Sequence, residues 1–407
     1  MSRVMLLCPE PLGHGQPAGI GIRFIEIARV LHADGHTLTV LSPDAGAVEG
    51  CRSDFIHPDS LRATSEASDV AVVQGHVANA FFQHAAPIPT VVDLYDPYII
   101  ENLHYYAERG AEVFDHDHFT LMTSIARGDY FLCASEAQRL FYAGLLLASG
   151  RLNPMLFEQD PRLESLIAIA PFGVAAARTR AASSMPHARI LFGGIYDWYD
   201  PIVAIEAVAL MRETRPDATL TFTMHPNPDI TPQGKLAAAM RFAKEKSYGF
   251  VRFEPWAPYE HRAAFFEKFD LALLTFHRSL ETDLAMRTRV YDYLWCGLPI
   301  VTSSAPGTDE ILTRHAAGSV VGDDDPRSFA REMLSILDDP PRHARMVDGA
   351  HAFVLEHQWD RTLAPLRAFC RAPHLEKTKG VFGTPQEKRP PSQPPSIVER
   401  LKRRLRA

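Results

Sequence analysis

Arg287 and Arg289, with Asp292 close behind them, are the side chains whose type and spacing best suit an anion attached to a hydroxylated ligand. Two guanidinium forks can grip a phosphate or carboxylate, and a carboxylate one turn further on can accept hydrogen bonds from sugar hydroxyls. Val290 and Leu294 fall four apart, as do Tyr291 and Trp295, which predicts a short helix opening at the arginines. Gly297 suits the position beyond its last turn, and Pro299 forbids continuation. Ile300 to Thr302 then reads as a buried strand, and a loop carrying Arg278, Glu281 and Asp283 precedes the helix. Cations at a helix N-terminus oppose its dipole at a cost of about 0.3–1 kcal/mol each. A bound anion reverses that cost, because free N–H groups and both guanidiniums then converge on it. The plainer alternative is that the arginines pair with Glu281, Asp283 or Asp292, and that Asp292 is a solvated helix acid.

The segment Asp292-Tyr-Leu-Trp-Cys-Gly-Leu-Pro-Ile-Val-Thr302 resembles the Glu-Ala-Met-Ala-x-Gly-x-Pro-Val-Val segment of family-4 glycosyltransferases of the GT-B fold. The string from Glu281 to Arg289 resembles the branch of that family found among bacterial surface-polysaccharide genes. In the family an acid on this helix holds the nucleotide ribose, a role the resemblance gives to Asp292. A second acid, eight residues upstream, meets the donor sugar. Leu284 stands at that position here, and Glu281 and Asp283 are the nearby candidates. Gly307-Thr308-Asp-Glu310 resembles the family's loop near the donor phosphates. After the strand Arg189 to Gly193 the family carries an Arg and a Lys for the diphosphate. This chain has Gly194-Ile-Tyr-Asp-Trp-Tyr-Asp-Pro201, with neither. Arg287 and Arg289 must then supply the positive charge, while Gly193 and Gly194 permit close backbone approach. Trp256, in Trp256-Ala-Pro-Tyr259, occupies the place of the base-recognition turn, as a flank for the base or as an ordinary packed ring. His225 is a core or capping histidine, or a nucleotide contact.

The first half opens with a βαβ unit: a strand Val4 to Cys8, a glycine loop, a helix with Ile20, Phe24, Ile27 and Leu31 on one face, and a strand Thr37 to Leu41. Gly13-His-Gly-Gln-Pro-Ala18 has the glycine spacing of a dinucleotide fingerprint. Pro9 to Leu12 separate it from its strand and Pro17 lies inside it, so no nicotinamide site is expected. The loop instead resembles the glycine-rich loop of family-4 enzymes, with Gly19 and Gly21 as the closest matches and Arg23 just inside the helix; the alternative is an ordinary flexible loop. Val91-Val-Asp-Leu-Tyr-Asp-Pro97 ends where related enzymes place a cleft histidine, which makes Asp93 a cleft candidate. Asp96 reads as an N-cap before proline, like Asp160, Asp200 and Asp325. Ser135-x-x-Gln138 reads as a capping box. Asp115-His-Asp-His118 has the residue types of a metal site, but alternate residues share a face only on a strand, so a solvated helix start is expected. No metal is expected, since no Asp-x-Asp lies at a strand end near the arginines.

A chain of 407 residues, 46 % apolar and 22 % charged, has room for two domains. A net charge of −7 argues against a general nucleic-acid partner. Five cysteines, scattered and without a CxxC, read as reduced thiols, buried at Cys8, Cys133 and Cys296. No leader precedes Val4 and no apolar run reaches the roughly 20 residues of a membrane span. The expectation is a cytoplasmic protein, or one peripheral on the inner membrane. The organisation expected is a Rossmann-like acceptor domain over 1–174, a linker over 175–188, a Rossmann-like nucleotide-sugar domain over 189–345, and a closing helix over 346–372. A proline-rich disordered tether over 373–396 and a basic amphipathic tail over 397–407 follow. In the tail Ile397, Leu401 and Leu405 form one stripe among five Lys/Arg and one Glu, suiting an anionic inner leaflet, a protein partner or plain solvation.

The fold class expected is α/β, of GT-B type, with two Rossmann-like domains facing an interdomain cleft. The resemblance implies retaining, metal-independent transfer of a hexosyl unit from a nucleotide-sugar donor, itself the substrate with no further cofactor, to a glycan or lipid-linked acceptor. A catalytically degenerate binding subunit of an assembly complex is the alternative. A nucleotide-sugar epimerase is disfavoured, because no second histidine–carboxylate constellation is present to run deprotonation.

Overall fold

Runs of four to six apolar residues alternate with amphipathic segments along the chain, and the computed structural model turns them into two parallel sheets. It describes residues 1–13, 17, 19–106, 110–176, 187–224 and 233–381. The first sheet holds β1 (Arg3–Leu7), β2 (Thr37–Ser42), β3 (Arg52–Phe55), β4 (Val70–Val73), β5 (Thr90–Asp93), β6 (Tyr130–Cys133) and β7 (Ile167–Ile169), in the order β3-β2-β1-β4-β5-β6-β7. The second holds β8 (Arg189–Gly194), β9 (Thr219–Thr223), β10 (Val251–Glu254), β11 (Leu271–Leu274), β12 (Ile300–Ser303) and β13 (Gly318–Val321), in the order β10-β9-β8-β11-β12-β13. Pairing is parallel throughout, with Val4 opposite Leu38 and Val70, and Ile190 opposite Leu220 and Leu271. β4, β6, β11 and β12 are buried at every position, as sheets covered by helices on both faces require. Strand order reverses between β1 and β4 and again between β8 and β11. Ligands in such sheets bind at those crevices, beyond the strand C-termini.

The chain crosses back to the first domain after the helix Pro340–Glu356. Val174 bridges Gln358, and the Trp359 ring packs 4.6 Å from Phe172 over Gly173, where a methyl group would collide with the indole. Phe369 stacks on Tyr130 at 4.8 Å, and Arg367 pairs with Asp34. The start of the expected tether is a docked strap. Glu376 N–H donates to Asp129 at 2.9 Å, Asn153 donates to Thr378 at 2.8 Å, and Arg151 pairs with Glu376 at 3.2 Å, all in buried or half-buried surroundings. The polar residues of this strap therefore serve as ligands for buried partners. Most of the linker, His225 and residues 382–407, with the basic tail, lie outside the described residues.

Other expectations are corrected. Residues 280–284, taken as loop, form a short helix because Ser279 and Thr282 make a reciprocal capping box. Gly307 and Thr308 lie in the first turn of a helix Pro306–His315, with proline at its favoured first position. Asp200 and Asp325 are N-caps, but Asp160 follows a helix and Asp96 makes no cap bond. Gln138 does not close a capping box: its Oε1 accepts from Ala134 N–H at 2.7 Å, and its amide turns inward. Asp115 to His118 lie in the helix Ala111–Arg127, with Asp117 accepting from Asn102. The five cysteines are free thiols, and only Cys51 is not buried. No helix among the described residues is long and apolar enough to cross a membrane.

Candidate active site between the two sheets

The C-terminal end of β8 builds one wall. Its register slips between Leu191 and Gly193, and Gly193 adopts φ +82°, a conformation that favours glycine. A Cβ at Gly193 would collide with Tyr293 Oη, which donates to Phe192 O at 2.9 Å. One at Gly194 would lie 3.2 Å from the Trp256 ring and 3.5 Å from the Arg289 guanidinium. The two glycines, Trp256 and Arg289 therefore meet at one point. Arg289 is half-buried, donates to Gly194 O, and lies over the rings of Tyr196 and Tyr199 at 5.4 and 4.5 Å.

Arg287 is placed differently from its expected role. It is the residue before the helix Thr288–Trp295, and its side chain is 3 % exposed. It pairs with Glu281 at 2.9 Å and lies over Tyr199 and Phe276 at 4.9 and 4.5 Å. Burying a charge is tolerable only with such a partner, so the guanidinium is committed to the protein. The two arginines do not converge as open forks; Arg289 alone of the pair retains exposed surface. Glu281 Oε1 and Arg287 Nε find no hydrogen-bond partner among the described residues. Asp283 points instead to an exposed pair with Arg278 at 3.1 Å.

Asp292, one turn into the same helix, accepts from Arg262 Nε at 3.2 Å, and the Arg262 guanidinium covers the Trp295 ring at 4.3 Å. Burial raises the Asp292 carboxyl above its ordinary range, against the pull of Arg262 and Arg289. Gly307 lies against the Met286 sulfur, where a Cβ would clash, and Thr308 is buried behind it. Arg262, an unremarkable basic residue in the sequence, becomes a site residue only through this packing.

The first domain supplies the facing wall. Gly19 sits where a Cβ would touch Thr288 at 3.4 Å, and Gly21 N–H donates to Glu10 at 2.8 Å. Asp93 is withdrawn from the cleft: its carboxylate takes both forks of Arg23 at 2.6 and 3.1 Å, with both side chains fully buried. Arg23 also donates to Ala170 and Pro171 carbonyls and covers the Tyr95 ring. The acids nearer the cleft are Asp96 and Glu101, half-buried and hydrogen-bonded to each other. Across the gap, Tyr196 and Trp198 stack at 4.8 Å, and Trp198 reaches His104 and Tyr105 at 6.3 Å. An aromatic loop thus stands where the resemblance led one to expect cations.

Burial is the first cause that raises both Asp96 and Glu101. The charge of Glu281 adds to it at each, Asp96 adds at Glu101, and the bond to Glu101 opposes it at Asp96. Two carboxyls in hydrogen-bond contact keep one proton between them. The unfolded chain releases that proton near about pH 4. Folding stability from this pair is therefore greatest below that pH and falls as pH rises through the raised range. Glu101→Gln removes one of the two raised groups and should flatten the slope, while Asp96, raised by burial, keeps a remainder. Denaturant melts across roughly pH 5 to 8 check it; parallel wild-type and variant curves would contradict it.

Two facing Rossmann-like sheets and a C-terminal return to the first domain define the GT-B fold. Residues 188–339 match the family described as glycosyl transferases group 1, and the chain has the GT-B fold. Among curated relatives it is similar to D-inositol 3-phosphate glycosyltransferases of Thermobispora bispora, 28 % identical over 200 residues, and Thermomonospora curvata, 25 % over 195 residues. These alignments cover 48 and 47 % of this chain and 46 and 44 % of the relatives, less than half of their length. Among solved structures it is similar to Anabaena HepE in complex with UDP and glucose, at 14 % identity and TM-score 0.66, over 92 % of this chain and all of that one. WaaG, a glycosyltransferase involved in lipopolysaccharide biosynthesis, matches at 14 % and 0.60 over 90 and 98 %.

Proposed function

We propose that this chain is a glycosyltransferase that moves a hexosyl unit from a nucleotide-sugar to a glycan or lipid-linked acceptor, with retention and without a metal, in assembling bacterial cell-surface polysaccharide. One observation carries the reading: Arg289, the Gly193–Gly194 turn and Trp256 meet at the C-terminal end of β8, with Asp292 one turn further along the Arg289 helix. In that arrangement Trp256 flanks the base, Asp292 accepts from the ribose hydroxyls, and the glycine turn admits the diphosphate. Charge builds on the diphosphate as the glycosidic bond breaks. Arg289 and the N-terminus of the helix Thr288–Trp295 stabilise it. Glu281, which retains an unused oxygen beside the buried pair, is the better of the two candidates for the sugar-contacting acid. UDP-glucose is the first donor to try, because the HepE structures hold UDP, glucose and UDP-glucose. The basic segment 397–407 suits contact with an anionic inner leaflet, on the cytoplasmic side.

The binding-subunit alternative draws on a specific observation. Arg287 is committed to Glu281, and the 194–200 loop has no cation. Proton NMR of UDP-glucose incubated with the protein in EDTA separates the readings. The α-anomer as first product supports retaining, metal-independent transfer to water or acceptor, and the β-anomer contradicts retention. Saturable UDP binding without turnover would establish the binding subunit instead.

A further inference from the structure

The five-residue helix Leu280–Leu284 and the residues after it hold the Glu281–Arg287 pair, and they are fixed from both domains. A helix this short has no stability of its own, and its last carbonyls are orphan acceptors. The last of them, Leu284 O, is satisfied from the opposite domain. Gln138, fully buried at the start of the helix Glu136–Ala148, donates its amide to Leu284 O at 2.9 Å and to Tyr95 O at 3.0 Å. Its other end is fixed by Ala134 N–H at 2.7 Å. Tyr95 in turn donates its hydroxyl to Met286 O at 3.0 Å. Two side chains of the first domain thus grip alternate carbonyls of the strip Leu284-Ala-Met286, immediately before Arg287. The same strip is pressed from its other side, where the Met286 sulfur fills the space over Gly307.

We propose that Gln138 and Tyr95 are positioning residues: they latch the two domains shut across the 284–286 strip and so set the Glu281–Arg287 pair for the donor. With the domains apart, Leu284 O and Met286 O face water, the short helix loses its C-terminal partner, and Glu281 and Arg287 lose their register to the β8 turn. Neither latch residue touches the donor in this arrangement, so each acts through the population of the closed form. Removing one neutral hydrogen bond of this kind lowers the closed-to-open ratio about five- to tenfold, and apparent ligand affinity falls as the closed fraction falls.

The test uses the full chain with Tyr95→Phe, which removes one hydroxyl and keeps the ring over Arg23, and Gln138→Glu, which keeps the bond from Ala134 and loses both donations. Two readouts that a purely structural role would not move are expected to change together. The radius of gyration from X-ray scattering rises in both variants, and amide exchange at 285–290 accelerates at least fivefold, while exchange in β4 to β6 stays as in the wild type. This role rests on the donor reading above, and the two can fail separately. If UDP, the probe for binding, leaves the wild type unchanged, the donor reading fails while the scattering arm still decides the latch. If both variants keep wild-type scattering and wild-type exchange at 285–290, the latch is refuted. Gln138→Glu losing protection throughout the first domain would also overturn it, provided Tyr95→Phe stays closed.

Discussion

Replacing Arg289 with alanine is expected to lower UDP-glucose turnover by about 10²–10³-fold, the usual loss when one preorganised donor to developing charge is removed. The magnitude follows from what else is available. The loop 194–200 contains no lysine or arginine, and Arg287 is held by Glu281 beneath the rings of Tyr199 and Phe276. Arg289 is thus the arginine of the pair that can turn from Gly194 O toward a diphosphate at the end of β8. Arg289→Lys should recover only part of the loss, since an ammonium keeps the charge but not the planar fork. The melting temperature should change little, because the side chain is half-buried and its losses are bonds to the Phe192 and Gly194 carbonyls and contacts over two rings. Steady-state kinetics with circular-dichroism melts check both halves. A loss below about threefold would remove Arg289 from the chemistry.

Asp93→Ala carries the other large effect, and it concerns stability. Arg23 and Asp93 have no exposed surface, so truncating the acid leaves an uncompensated guanidinium in the core, at a cost of about 3–5 kcal/mol. Arg23→Met combined with Asp93→Leu should recover most of that, because apolar replacement of a whole buried pair is often neutral. Urea melts of the three variants give the comparison. Per folded molecule, turnover by Asp93→Ala should stay within a few-fold of wild type. A hundredfold loss in the folded fraction would return Asp93 to the cleft.

The alternation of apolar strands with helical runs made parts of both sheets legible in the sequence, since buried parallel strands leave uninterrupted apolar stretches such as those at Val4–Cys8 and Ile300–Thr302. The helix through Asp292 and its stop at Gly297 were legible for the same local reason. The partners were not. Whether Arg287 faces a ligand or Glu281 depends on a capping box at Ser279 that turns loop into helix and aims the acid inward. Asp93 and Arg23 are seventy residues apart in sequence, so nothing local marks the pair that empties this part of the cleft. Gln138 matched a capping-box pattern, yet its amide was drawn to a carbonyl of the other domain. Arg262 bears no motif and enters only because it covers Trp295 beside Asp292. Local pattern fixes elements well; which of two available counter-charges a side chain takes is decided by long-range packing.

Calorimetric titration of UDP into wild type, Arg289→Ala and Asp292→Asn tests most directly whether the cleft is a nucleotide site. One molecule per chain in the wild type is expected, with affinity weakened at least about tenfold in each variant, as loss of a charge-assisted hydrogen bond requires. Failure of the wild type to bind UDP, GDP or ADP, or equal affinity in all three proteins, would contradict it.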